Sequence, residues 1–75
     1  MIVSVDAEQL AAEVFAEAAR FAARTPERRA ACHLWSALIT SPTVDAARRA
    51  IATFGDERTQ SDAAALLGRF LKEYA

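Results

Sequence analysis

Cys32 and His33 stand side by side in the stretch AACHLWSALIT, and each is the only residue of its kind in the chain. A thiol beside an imidazole could serve as a nucleophile with its base, or as part of a zinc site. Both uses need the two side chains to converge. Neighbouring residues on an α-helix point about 100° apart, so adjacent helical positions do not readily chelate one ion or share one proton. Zinc also takes three or four ligands, and this chain has no second Cys or His. The pair therefore reads as structural, with Cys32 a small, partly buried residue and His33 at the edge of a packed face. No glycine-rich phosphate loop, Ser–His–Asp set or pair of catalytic carboxylates can be assembled from the remaining residues. No catalytic residue, cofactor or metal is expected, and the chain is not expected to be an enzyme.

Recognition is the chemistry left open. Trp35 is the only tryptophan, a residue type that either fills a core edge or anchors a partner. Arg28–Arg29 and Arg48–Arg49 lie near the expected starts of two helices, where cations oppose the positive end of the helix dipole. They read as solvated faces balanced by Glu27, Asp45, Asp56 and Glu57, or as contacts for phosphate or an acidic peptide. Phe15, Arg28, Arg29, Trp35, Arg48 and Arg49 are accordingly the candidate partner-contact residues.

Four helices are expected to carry these residues, over about 6–24, 26–40, 43–54 and 60–74. Asp6 caps the first, with Gln9 placed for a capping box and Val5 and Leu10 spaced as a hydrophobic staple. Its inward stripe is Leu10, Val14, Ala18, Phe21 and Ala22; Glu8, Glu13 and Glu17 come early, while Arg20 and Arg24 come late, as the dipole favours. Thr25 and Pro26 start the second helix, and Ala31, Leu34, Trp35, Leu38 and Ile39 face inward. Ser41 and Pro42 repeat the device for the third, which carries Val44, Ala47, Ile51 and Phe54 and stops at Gly55 as a left-handed cap. Thr59 or Ser61 caps the fourth, with Ala63, Leu67, Phe70, Leu71 and Tyr74 inward. Gly68 either weakens that helix or permits a close helix contact.

Composition agrees with an all-α fold. Alanine supplies 19 of 75 residues, a strong helix former that buries little area. Two Gly and two Pro are few for a turn-rich β domain. A chain of this length holds one domain, residues 1–75, near the size at which one core sustains a fold without staples. A single Cys excludes an internal disulfide, and a reducing cytoplasm is the expected setting. MIVSV is apolar but too short for a signal peptide or a membrane span, so no membrane association is expected.

The stretches CHLWSALI and AARRAIATFGD together resemble the repeat of Clp ATPase N-terminal domains. His33, Leu34, Ala37, Leu38 and Ile39 fit the second helix of that repeat. Ala47, Ile51, Phe54, Gly55 and Asp56 fit its short third helix, closed by Gly. AEVFAEAARFAAR is compatible with the first helix, and the last helix with the fourth. The resemblance implies a compact four-helix bundle of orthogonal type and a role in protein binding, because such domains recruit adaptors and substrates to an unfolding machine. The family carries two repeats where this chain has one, which implies that the exposed repeat face associates with a second copy.

The competing reading is a helix-turn-helix DNA-binding or antitoxin-like dimer, formed by AARRAIATFGDERTQSDAAALLGRF. Its connection is longer than the usual three or four residues, and its last helix offers Arg69 and Lys72 against Asp62 and Glu73. With nine basic and ten acidic residues, net charge −1, the chain lacks the basic footprint of a nucleic-acid binder. Nucleic acid is not the expected partner. Off the main stripes, Phe15 lies beside Val14 and Leu66 beside Leu67, which widens two apolar faces. The expectation is a non-enzymatic protein-interaction module, an adaptor, decoy or regulator of a Clp-type unfoldase or protease, that forms a homodimer or joins a larger helical partner.

Overall fold

The computed structural model describes residues 6–73. They form α1 (Ala7–Ala18), α2 (Pro26–Ile39), α3 (Val44–Ile51) and α4 (Glu57–Glu73), with no strand among the described residues. The fold is an all-α helical bundle. Helix α2 is its axis, packing against α1, α3 and α4, while α3 also meets α4. Phe15 meets Trp35 and the Phe21 carbonyl meets Arg28, so α1 and α2 run antiparallel.

The core is narrow and largely alanine. Its largest fully buried side chains are Leu10, Val14, Leu34, Leu38, Ile51 and Leu67. Ala7, Ala11, Ala18, Ala31, Ala37, Ala47 and Ala63 fill the gaps between them and let the helices approach closely. Phe70 is buried, and Phe21, Trp35, Val44, Leu66 and Leu71 pack against this cluster from its edge. Three residues expected on inward stripes are exposed, Ala22, Ile39 at 52% and Phe54 at 39%, and Phe15, off the stripe of α1, is 60% exposed. Tyr74 and Val5, assigned to the core and to a staple, lie outside the described residues.

Caps explain where the helices start. The Asp6 carboxylate accepts from the Glu8 backbone N–H at 2.9 Å, and the Thr25 hydroxyl accepts from that of Arg28 at 3.3 Å ahead of Pro26. Helix α3 is capped by Thr43, whose hydroxyl accepts from the Ala46 N–H, rather than by Ser41. Helix α4 starts three residues earlier than expected, at Glu57. The Asp56 carboxylate takes the Thr59 N–H at 2.8 Å and the Thr59 hydroxyl at 2.9 Å, so Thr59 is the capped residue and neither it nor Ser61 is the cap.

Two helices end earlier than their patterns suggest. Helix α1 stops at Ala18, although Ala19 to Arg24 are good helix formers. Arg24 adopts a left-handed backbone, φ 66°, and Thr25, preceding a proline, is extended. This turn brings Phe21 back onto the core, and the carbonyls it frees are met by side chains. Arg28 donates to Phe21 O at 3.1 Å and the Thr25 hydroxyl to Ala22 O at 2.7 Å. Helix α3 ends at Ile51, so Gly55 belongs to the α3–α4 turn and is not the residue that closes the helix. The shorter helix also moves Arg48 and Arg49 into its last turn, where the dipole favours them; they were expected to oppose it.

Candidate functional site

The thiol and the imidazole part company. Cys32 is exposed on the outer side of α2, while His33, about 100° round the helix, is buried at 7% exposure. Both differ from expectation, Cys32 lying further out and His33 further in. The His33 Nε2 lies 2.9 Å from the Ile51 carbonyl oxygen. A carbonyl only accepts, so Nε2 carries the proton and donates it. Ile51 ends α3, and its carbonyl is one of those a helix terminus leaves without an intrahelical partner.

Phe54 covers the imidazole, with ring centroids 3.9 Å apart and planes 16° from parallel. Gly55, at φ 74°, lies so close that a Cβ there would sit 2.7 Å from His33 Cε1. The constellation ties α2 to the end of α3. No group of three potential metal ligands gathers among the described residues.

The outer side of α2 presents the arrangement best suited to recognition. The Phe15 and Trp35 rings meet with centroids 5.7 Å apart and planes tilted by 48°. They wall a depression of about 210 Å³ with Arg28, Cys32, Ser36 and Ala18. Large apolar side chains left in solvent on one contiguous face are the usual mark of an interaction surface. Cys32 contributes an accessible thiol to its floor.

Of the six candidate contact residues, Phe15, Arg28 and Trp35 thus come together. Arg29, one residue on, does not line the depression; its charge adds a minor attraction to the Asp56 carboxyl. Arg48 and Arg49 lie on α3, with Arg48 in an exposed pairing with Asp45 at 3.9 Å. They form no common patch with the aromatic pair.

A second, more open cleft of about 540 Å³ runs between the start of α2 and α4, lined by Phe21, Pro26, Ala30 and Leu66, with charged Glu27, Arg58, Asp62 and Arg69 at its margins. Arg69 is engaged there, paired with Glu17 of α1 and lying 5.3 Å from the Phe70 ring centre. The cleft has no nucleophile, and its charges are of both signs.

The Asp56 carboxyl sits below its ordinary range. The Thr59 backbone N–H is the main cause and the Thr59 hydroxyl the next; Arg29 adds a smaller attraction, and partial desolvation works the other way. This is capping chemistry, with no feature of a general acid or base.

Sequence reasoning missed the partner of His33, the Ile51 carbonyl, because no residue type announces a free helix end 18 positions away. It also missed Asp56 as a cap, although an Asp three residues before a Thr at a helix start was a readable signal. No helix among the described residues is long and apolar enough to cross a membrane. Compared with protein-family models, curated proteins and solved structures, the chain matches none of them.

Proposed function

We propose that this chain is a non-enzymatic protein-interaction module that docks through the outer face of α1 and α2. The observation that carries the reading is Phe15, 60% exposed on a well-formed helix and in tilted ring contact with Trp35 beside an apolar depression. A phenylalanine in that position costs solvation and adds little to the core, whereas aromatic anchors dominate the energetics of protein interfaces. Arg28, at the edge of the same depression, supplies a directional polar contact. The more specific role, an adaptor, decoy or regulator of a Clp-type unfoldase, rests on the pattern of His33, Leu34, Leu38, Ala47, Ile51, Gly55 and Asp56.

The experiment is affinity capture from the native host with the wild-type chain and with Phe15→Ser as baits, followed by reconstitution of any captured protein in pure form. Binding of the pure partner by wild type and its loss in Phe15→Ser is the expected result. An unfoldase or its adaptor as that partner supports the specific role. Capture that ignores the substitution contradicts the assigned face, and a salt-sensitive shift of duplex DNA replaces the reading with the DNA-binding one.

A further inference from the structure

We propose that the partner on the Phe15–Trp35 face is a second copy of this chain, docked about a two-fold axis that sets each Arg28 against the partner's Glu8. The inference rests on the docking reading above and names its occupant. Its basis is the way charge is distributed around the aromatic pair.

On α1, Glu8, Ala12 and Phe15 are exposed and fall within about 60° of one another around the helix. On α2, Arg28, Cys32, Trp35 and Ile39 fall within a similar arc of about 60°. Phe15 and Trp35 are in contact, and Arg28, Cys32 and Trp35 line the same depression, so the two stripes make one surface. Its middle is apolar. Each end carries one charge.

Those charges are evenly placed. Glu8 lies two helical turns before Phe15 and Arg28 two turns before Trp35, in each case about 10 Å along the helix. Because α1 and α2 are antiparallel, the acid and the base fall on opposite sides of the aromatic pair. Among the described residues neither Glu8 nor Arg28 pairs with a charge of its own chain; Arg28 holds the neutral Phe21 carbonyl.

A surface with one acid and one base at equal distances from an apolar centre is complementary to itself. A two-fold axis lying in the interface, perpendicular to the line from Glu8 to Arg28, lays aromatic pair on aromatic pair and brings both opposite charges together. Rotation about an axis along the helices would leave each charge beside its own kind. Isologous pairing of this type is the commonest form of oligomer. Net charge −1 offers little repulsion between copies.

Sedimentation equilibrium of the whole chain tests the proposal, with helical content followed by circular dichroism. The expected species is a dimer that dissociates on dilution and loosens with added salt, as rim charges are screened. Phe15→Glu and Glu8→Arg, both at exposed positions, keep wild-type helicity and raise the dissociation constant by about tenfold or more, the scale of an interface hot spot. Arg28→Glu combined with Glu8→Arg restores association. A wild-type monomer, or a dimer indifferent to Phe15→Glu and Glu8→Arg, overturns the proposal. If the chain is monomeric yet binds a purified protein through Phe15, the second copy is wrong and the docking face stands. If neither association depends on Phe15, both fall.

Discussion

His33 and Cys32 differ by one position and by the whole of their surroundings. His33 donates to the last carbonyl of α3, is covered by Phe54 and has Gly55 against its edge. Cys32 faces water. Cys32→Ser therefore leaves the unfolding free energy within about 0.5 kcal/mol of wild type. Gly55→Ala does not, because a methyl group there meets the imidazole 2.7 Å away and the backbone sits at φ 74°. It costs about 2 kcal/mol or more, from left-handed strain together with overpacking. Urea denaturation of the two variants reads both effects; equal losses would mean that the His33 contact is not the reason for the glycine.

At the scale of the element, the start of α4 depends on an ionised group. Asp56 is held below its ordinary range chiefly by the Thr59 N–H and hydroxyl. Its folded-state pKa is lowered, so its contribution is complete above the unfolded value and disappears as pH falls through the folded one. The melting temperature is accordingly expected to drop as the solution is acidified through the carboxylate range. Asp56→Asn flattens that dependence, since an amide accepts the same N–H without titrating; an unchanged acid profile in this variant would contradict the assignment.

Gly68 belongs to the same helix and was read as a weak point or a close-contact site. Apart from its own helix backbone nothing lies within 4 Å of an added Cβ, so no packing contact requires glycine there. Gly68→Ala is expected to stabilise the fold by about 0.5–1 kcal/mol, measured by urea denaturation. A loss of stability would mean that a neighbour not in contact here uses the space. Helix ends were legible where a side chain announces them, as at Asp6 and Thr25. They were not legible at Ala18, where the chain turns away from a good helical sequence to return Phe21 to the core.

At the scale of the molecule, few side chains carry the stability. Among the described residues six large side chains are fully buried, and a chain of this size is stable by about 4–11 kcal/mol. Leu34→Ala, in the middle of α2, is expected to remove about 2–5 kcal/mol and leave a marginal or unfolded chain. Phe15→Ser, on the same bundle but 60% exposed, leaves the melting temperature close to wild type when both are measured dilute enough for the chain to be monomeric, where association adds nothing to the folded state. Thermal melts of the pair separate a residue kept for the core from one kept for a surface. Comparable losses would place Phe15 in the core.

By itself the sequence determined the helical class, the number of helices and most of their inward stripes, because these follow from a 3.6-residue period, an alanine-rich composition and capping residues next to their helices. Only the tertiary structure decided that Cys32 faces water while His33 is buried, that Arg28 joins Phe15 and Trp35 while Arg29, Arg48 and Arg49 do not, and that Ile39 is left outside. Those facts depend on where neighbouring helices end and on which side of α2 each one packs. Local periodicity carries no information about either.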